Sequence, residues 1–419
     1  MAIRENDESR SVTQCRQCGS QELALILDLG HHPPSDAFLK PEQLHQAETF
    51  YPLRLVSCQS CGLLQIDFLV DGRILYQQDY PYESSTTATG RQHYNQMAKD
   101  IVQAFGFKPE SLALDIGSNV GVLLQGFKEA GMSVLGVDPA PNMAAKANAA
   151  GIRTMNDFFR EEVADSILAQ HGLVQVITGT NVFAHMHELH SAVAGMKKIL
   201  ASDGVIVIEA PYALDLIEHL EYDTIYHEHI AYLSVKPLES YFKKFDLELF
   251  KVEKTAIHGG SLRYFVGHTG THPIDASVAT FIQQEETFGL YSLPRLQKFA
   301  QDVAQQKLDL LALLLDLKRQ GKIVVGLSVP AKGNTLLNYC HIDQSFLDFL
   351  TEKAEIKVGR YSPGMHIPIH KDEKIVQEKP DYALILAWNF AKEIMANMEE
   401  YKNQGGKFIV PIPHPLIIE

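Results

Sequence analysis

Between residues 90 and 270 the chain alternates short apolar runs with stretches of helical period. Apolar residues run continuously at 112–116, 133–137, 174–177 and 205–209, and again around 247–252 and 262–266. Runs of that length, separated by helical patterns such as 122–130, predict a mostly parallel sheet covered by helices. A long helical stretch follows at about 275–320, amphipathic over 307–319. Beyond it comes a second series: a strand at 322–326, a loop at 327–335 leading into a helix, a strand at 382–389 carrying the only tryptophan, and a last strand at 408–410 closing the sheet. The segment 1–75 lacks this rhythm. The expected organisation is an α/β protein in three parts: 1–75 as a metal-stabilised unit, 76–275 as a Rossmann-like domain, and 276–419 as a bridging helix with a second Rossmann-like domain. A chain of 419 residues is too long for one ordinary core.

Composition narrows the class. With 46% hydrophobic and 21% charged residues the chain reads as globular. A net charge of −14 argues against a nucleic-acid partner, which requires a basic face. The N-terminus is charged and has no apolar core of a signal peptide, and the most apolar run, 308–317, is interrupted by Asp309 and Asp316. A soluble, cytoplasmic, monomeric protein without membrane contact is expected.

Four of the five cysteines form two Cys-x-x-Cys pairs, Cys15/Cys18 and Cys58/Cys61, each followed by glycine. Two residues between thiolates let both sulfurs reach one tetrahedral ion. A glycine next in line lets backbone N–H groups approach the sulfurs. Four thiolates close the coordination shell, so the implied Zn²⁺ is structural rather than catalytic. The long interval from Cys18 to Cys58 leaves room for a hairpin between the knuckles.

The strand 112–116 runs through Asp115 into Gly117-Ser-Asn119-Val-Gly121 and a helix. The next strand, 133–137, ends in Asp138, at the tip of the neighbour of the strand that carries Asp115. This Asp-x-Gly-x-x-x-Gly spacing differs from the dinucleotide fingerprint and matches S-adenosylmethionine (SAM) methyltransferases. Asp138 would accept from ribose hydroxyls, and the glycine turn would meet the ligand. Asp157 and Phe158 follow the third strand, where adenine is expected, although core packing accounts for the phenylalanines equally well. Asn181 and His185 fall at a strand C-terminal edge, where open α/β sheets bind ligands.

The segment Tyr226-His227-Glu228-His229 concentrates proton-transfer groups between Ile225 and Ile230. A buried hydrogen-bonded cluster is the bland reading. Helical zinc binding is disfavoured because the histidines are two apart. On an extended strand neighbouring side chains point oppositely, so a joint role demands irregular backbone. Three further stretches carry polar groups: 78–87, whose phenols and hydroxyls suit a lid or a polar pocket wall but which on composition alone is an ordinary linker; His258-Gly-Gly260, a hairpin whose histidine either faces the pocket or only makes a turn; and the small-residue loop with Lys332, suited to phosphate.

Taken together, these motifs resemble the SAM-dependent sugar 3-C-methyltransferase family, enzymes of deoxysugar biosynthesis acting on nucleoside diphosphate-linked 4-keto-6-deoxysugars. The resemblance spans nearly the whole chain: the double knuckle, Tyr80-Pro-Tyr82 with Ser84-Ser85, Asp115 to Gly121, Asn181 to His185, Tyr226 to His229, His258-Gly-Gly260, Ala331-Lys332-Gly-Asn334, Pro363-Gly-x-His366-Ile-Pro368 and Ala387-Trp388-Asn389. It implies a catalytic group of Tyr226, Glu228 and His229, with His229 or a Glu228–His229 pair as base. It implies cofactor binding at Asp115, Gly117, Asn119, Gly121, Asp138, Asp157, Phe158 and Asn181. It places Tyr80, Tyr82, His185, His258, Lys332, Asn334, His366 and Trp388 around a nucleotide-sugar substrate. The chain departs from the family pattern at Val120, where an acidic residue is common, and at Leu327-Ser328-Val329, where Tyr-Gly-Ala is usual. Other functions compatible with the residues are O- or N-methylation of another small molecule, or a zinc-ribbon binding module contacting RNA, which the acidic balance disfavours.

Overall fold

The computed structural model describes residues 9–77, 80–85, 88–255 and 260–419. His258 therefore lies outside the described residues. Three sheets organise the chain. The central one has seven strands in the order Leu247–Thr255, Ser261–His268, Leu200–Pro211, Val174–Thr180, Leu112–Ile116, Ser133–Val137 and Thr154–Met155. All pairings are parallel except those made by Ser261–His268, which runs antiparallel to both its neighbours. Buried aliphatic residues on both faces explain the unbroken apolar runs: Leu114, Val176, Ile177, Ile206 and Val207 are essentially fully buried.

The C-terminal sheet has six strands in the order Ile369–His370, Leu350–Thr351, Val324–Leu327, Tyr382–Ile385, Lys407–Val410 and Leu416–Ile418. In chain order that is 3-2-1-4-5-6, the doubly wound arrangement, whose ligand crevice opens between the first and fourth strands. The last strand is antiparallel to Lys407–Val410, so the sheet does not end at 410 as the apolar pattern suggested. The tryptophan strand also ends early. It stops at Ile385, and Trp388 lies in a 3₁₀ turn, Trp388–Phe390. The expected long helix is two, Ala276–Phe288 and Leu293–Arg319, separated by Gly289 in the left-handed conformation (φ 80°) and restarted at Pro294.

The N-terminal sheet has four strands: Leu23–His32, Tyr51–Cys58, Leu64–Ile66, and the two-residue strand Ala231–Tyr232 contributed from the far side of the Tyr-His-Glu-His segment. No helix among the described residues is long and apolar enough to cross a membrane.

Candidate active site and zinc centre

The knuckles converge. Sγ of Cys15 lies 3.5 Å from Sγ of Cys61, Sγ of Cys18 lies 3.5 Å from Sγ of Cys58, and all four sulfurs fall within 4.8 Å of one another. A tetrahedral ion with Zn–S bonds of about 2.3 Å requires sulfurs about 3.8 Å apart, so the set fits structural zinc. The glycines let backbone N–H groups reach the sulfurs, that of Ser20 at Cys18 and that of Leu63 at Cys61, and they also close the turns. N–H of Gly19 and of Gly62 donates to the carbonyl of Cys15 and of Cys58, each at 2.9 Å, closing the turn, while the sulfur of Cys15 receives N–H of Cys18 at 3.5 Å. Both glycines have positive φ (77° and 86°).

A cavity of about 400 Å³ opens where the C-terminal edges of the central and C-terminal sheets face each other. On the central side, Ile116 delivers the chain into Gly117 (φ 68°), Asn119 (φ 51°) and Gly121 (φ 83°), then helix Val122–Glu129. A Cβ on Gly117 would stand 2.7 Å from Cγ2 of Val182 and one on Gly121 2.8 Å from Cγ2 of Ile152, so both glycines are required by close packing as well as by φ. Asp138 is already oriented. Its Oδ2 accepts from N–H of Asn119 at 2.7 Å and its Oδ1 from N–H of Ala140 at 2.8 Å. Asp115 accepts from the hydroxyl of Thr178 at 2.6 Å, and burial raises its pKa to about 7. Asn181 (φ 56°) lines the cavity, and its buried Oδ1 has no hydrogen-bond partner among the described residues. Phe158 lines the cavity; Asp157 does not, and its Oδ1 accepts from N–H of Phe158 at 2.8 Å and Nη2 of Arg160 at 2.9 Å.

Of the segment 78–87, the described residues Tyr80, Tyr82 and Ser84 line the cavity. Asn119 accepts from N–H of Ser84 at 3.0 Å and donates to the carbonyl of Tyr82 at 3.0 Å, and Asn142 donates to the carbonyl of Tyr80 at 3.0 Å. Asn119 in the glycine turn thus holds Tyr82 at the cavity, and Asn142 in helix Pro141–Ala149 holds Tyr80. Composition could not show this, because the anchoring Asn119 and Asn142 lie far along the chain from the tyrosines they hold.

The Tyr-His-Glu-His segment is irregular, as a shared role requires: a 3₁₀ turn, Tyr222–Thr224, and then a turn closed by N–H of His229 donating to the carbonyl of Tyr226 at 2.9 Å. Nδ1 of His229 lies 2.8 Å from the carbonyl of Thr224, so it carries the proton. Nε2 is then the acceptor in the neutral ring, and the hydroxyl of Tyr226 donates to it at 2.7 Å. His185 packs against His229 with ring centroids 4.8 Å apart. Burial, and secondarily His229, holds the His185 pKa well below the ordinary value. Glu228 accepts from the hydroxyl of Tyr80 at 3.3 Å. Burial and then Asp36 push its carboxyl well above the usual range. Burial likewise raises Tyr226 and Tyr80. His227 points away from the cavity, its Nε2 donating to the carbonyl of Pro52 at 3.2 Å, and burial lowers it to about 4.

From the C-terminal sheet, Lys332 at the start of helix Ala331–Cys340 reaches the cavity beside Asn389 and Phe390. Its Nζ sits 4.6 Å from the centroid of Trp388, whose indole N–H donates to Oδ2 of Asp223 at 2.7 Å. Burial lowers the Lys332 pKa, opposed by Asp223 and Glu221, which burial raises to about 6 and about 7. Ser328, standing where the family pattern has glycine, has φ 66°, a left-handed position that glycine occupies without strain. Three expected substrate contacts are engaged elsewhere. Asn334 donates to the carbonyl of Ser35 at 2.7 Å, Nε2 of His366 bonds Oε2 of Glu48 at 2.8 Å, and Trp388 is the partner of Asp223 rather than part of the lining. Asn334 and His366 bind the N-terminal unit to the C-terminal one.

Sequence reasoning missed Asp36, Tyr76 and Lys357, all in the cavity wall. Tyr76 stacks on His185 (centroids 6.4 Å, interplanar 14°), and its buried hydroxyl has no partner among the described residues.

Comparison with known proteins identifies the class as a methyltransferase. Family profiles match in three blocks: a zinc binding domain at 15–76, a methyltransferase domain at 90–252 and a C-methyltransferase C-terminal domain at 256–413. The C-methyltransferase NovU of Streptomyces niveus is 33% identical over 413 residues, covering 98% of each chain. The chain belongs to this C-methyltransferase family and is a SAM-dependent enzyme with a structural zinc domain. Solved structures also align with it, at lower similarity. A SAM-dependent methyltransferase from Clostridium acetobutylicum ATCC 824 is 11% identical with TM-score 0.34, covering 43% of this chain and 92% of that one. Magnesium protoporphyrin IX methyltransferase of Synechocystis PCC 6803 is 14% identical with TM-score 0.34, covering 45% and 90%.

Proposed function

We propose that the protein methylates C3 of a nucleoside diphosphate-linked 4-keto-deoxysugar through an enolate. The observation that carries this reading is the ordered chain from the Thr224 carbonyl through His229 to Tyr226, set in a cavity between two Rossmann-like sheets. Carbon becomes nucleophilic only after losing a proton, and a ketone at C4 acidifies C3 by taking the charge onto oxygen. A neutral imidazole with Nδ1–H pinned offers Nε2 as the base, directly or through the Tyr226 oxygen. Of the two residues left open by the sequence, His229 is assigned the proton, because its Nε2 is the acceptor in the Tyr226–His229 pair, and Glu228 is assigned to hold the Tyr80 hydroxyl. The enolate oxygen is assigned to the hydroxyl of Tyr80 and to His185, which line the same cavity.

SAM supplies the electrophilic methyl. Residues assigned to hold it are Asp138 and the Gly117–Gly121 turn toward the ribose, Phe158 at the adenine and Asn181 at the methionine ammonium, where a buried acceptor lacks a donor. Lys332 is assigned to the diphosphate. The division 1–75, 76–275 and 276–419 is kept as the functional one: zinc, cofactor and sugar nucleotide.

The test is incubation in D₂O with a panel of 4-keto-6-deoxysugar nucleotides, with and without SAM. Deuterium at C3 without SAM and a new C–CH₃ signal with SAM are expected. Absence of both across the panel overturns the reading.

A further inference from the structure

We infer that Arg16, between two of the zinc-ligating cysteines, positions the two histidines of the reacting group from the metal site. Its Nη2 donates to the carbonyls of Met186 and of His187, the latter at 2.9 Å. These are the two residues that follow His185. The N–H of Arg16 donates to Oε1 of Gln65 at 2.9 Å, and Nε2 of Gln65 donates to the carbonyl of Gln14 at 3.2 Å. Gln65 is itself paired in the sheet with Ala231, two residues past His229. N–H of Ile66 donates to the carbonyl of Ile230 at 3.0 Å, and N–H of Ile230 donates to the carbonyl of Ala184 at 2.9 Å. The bonds therefore close a ring that starts at the first knuckle, passes the residue after His229, crosses to the residue before His185 and returns through Met186 to Arg16.

Local structure alone holds His185 weakly. It sits in a single 3₁₀ turn, Phe183–His185. A turn that short has no helical ladder to resist displacement, and a guanidinium gripping two successive carbonyls supplies a rigid planar anchor. The anchor is only as fixed as its own backbone, which four thiolates on one ion would immobilise. The zinc needs no part in the chemistry. Its contribution would be the registration of His185 against His229, now 4.8 Å between centroids. A misplacement of about 1 Å in such a pair is worth about 10²-fold in rate.

The inference rests on His185 and His229 belonging to the reacting site; its test separates the coupling from that reading. Full-length Arg16→Ala and Arg16→Lys are compared with wild type for zinc content by mass spectrometry, SAM affinity by calorimetry and amide hydrogen exchange. Arg16→Ala is expected to keep its zinc and its SAM affinity, to exchange faster over 183–189, and to lose about 10²-fold in kcat at similar KM, with partial recovery in Arg16→Lys. In a second arm, chelating zinc from wild type is expected to raise exchange over 183–189 and 229–232 while 112–116 stays protected. A zinc-loaded Arg16→Ala with native exchange over 183–189 overturns the inference. So does wild type whose protection there survives zinc removal, a measurement that stands even where the alanine variant fails to fold or no sugar is turned over.

Discussion

Tyr226 and His229 are joined by a 2.7 Å hydrogen bond across one turn, with the other nitrogen of the histidine fixed on the Thr224 carbonyl. The imidazole therefore has one tautomer and one acceptor direction, set before substrate arrives. Replacing His229 by Ala is expected to abolish deuterium wash-in at C3 and methyl transfer together, a loss of about 10²–10⁴-fold. Tyr226→Phe leaves the tautomer and removes only the hydroxyl. A smaller fall, about 10-fold, is expected in the exchange rate read by NMR. Loss of methyl transfer with full wash-in retained in His229→Ala would remove the histidine from the role of base.

Lys332 offers a split between the two ligands. Lys332→Ala is expected to raise KM for the sugar nucleotide about 10-fold or more while SAM affinity by calorimetry stays native, because one charge-assisted contact to phosphate is worth about 1.5–3 kcal/mol. Because Trp388 is the only tryptophan and lies 4.6 Å from Nζ of Lys332, nucleotide binding is expected to change its fluorescence. An unchanged emission spectrum at saturating nucleotide would argue against a diphosphate at Lys332.

How much of this was readable beforehand follows the range of the contacts. Strands such as Leu112–Ile116 and Ser133–Val137 appear in the apolar pattern because both their faces are buried, and the knuckles because zinc needs nearby thiolates. The pairing of His229 with Tyr226 was not readable, since it depends on a turn whose direction no local propensity fixes. The orphaned hydroxyl of Tyr76 and the placement of Asp36 were hidden for a different reason: they arise where three separate sheets meet. The bonds of His366 to Glu48 and of Asn334 to Ser35 were not readable either, because they cross from one domain to another.

His227 supplies a stability prediction with a definite sign. Its folded pKa, about 4, lies below the unfolded value near 6.5, so the unfolded chain binds the proton first as pH falls. Its contribution is intact above pH 6.5 and is lost progressively as pH falls from 6.5 toward 4, on the order of 3 kcal/mol in full. His227→Gln retains a donor for the Pro52 carbonyl and cannot charge. Relative to wild type, its Tm is expected to fall less steeply over that window. Parallel Tm profiles would show that His227 does not titrate in this range.

Gly117 tests the cofactor turn without touching a charge. Gly117→Ala must hold φ 68° and place Cβ 2.7 Å from Val182. A loss of about 1–3 kcal/mol in urea unfolding is expected, with SAM affinity reduced in parallel. Gly117→Ala paired with Val182→Ala relieves the clash, leaves the φ cost, and should recover part of the stability.

The strand Ala231–Tyr232 completes the sheet that the zinc knuckles begin, although most of the cofactor-binding domain lies between Ile66 and Ala231 along the chain. A fragment cut at residue 75 would carry all four cysteines yet leave Leu64–Ile66 as an open edge. For anyone building chimeras among relatives of this enzyme, the zinc unit and the segment 226–232 form one exchangeable part, and swapping either alone joins a sheet edge to a partner it was not fitted to.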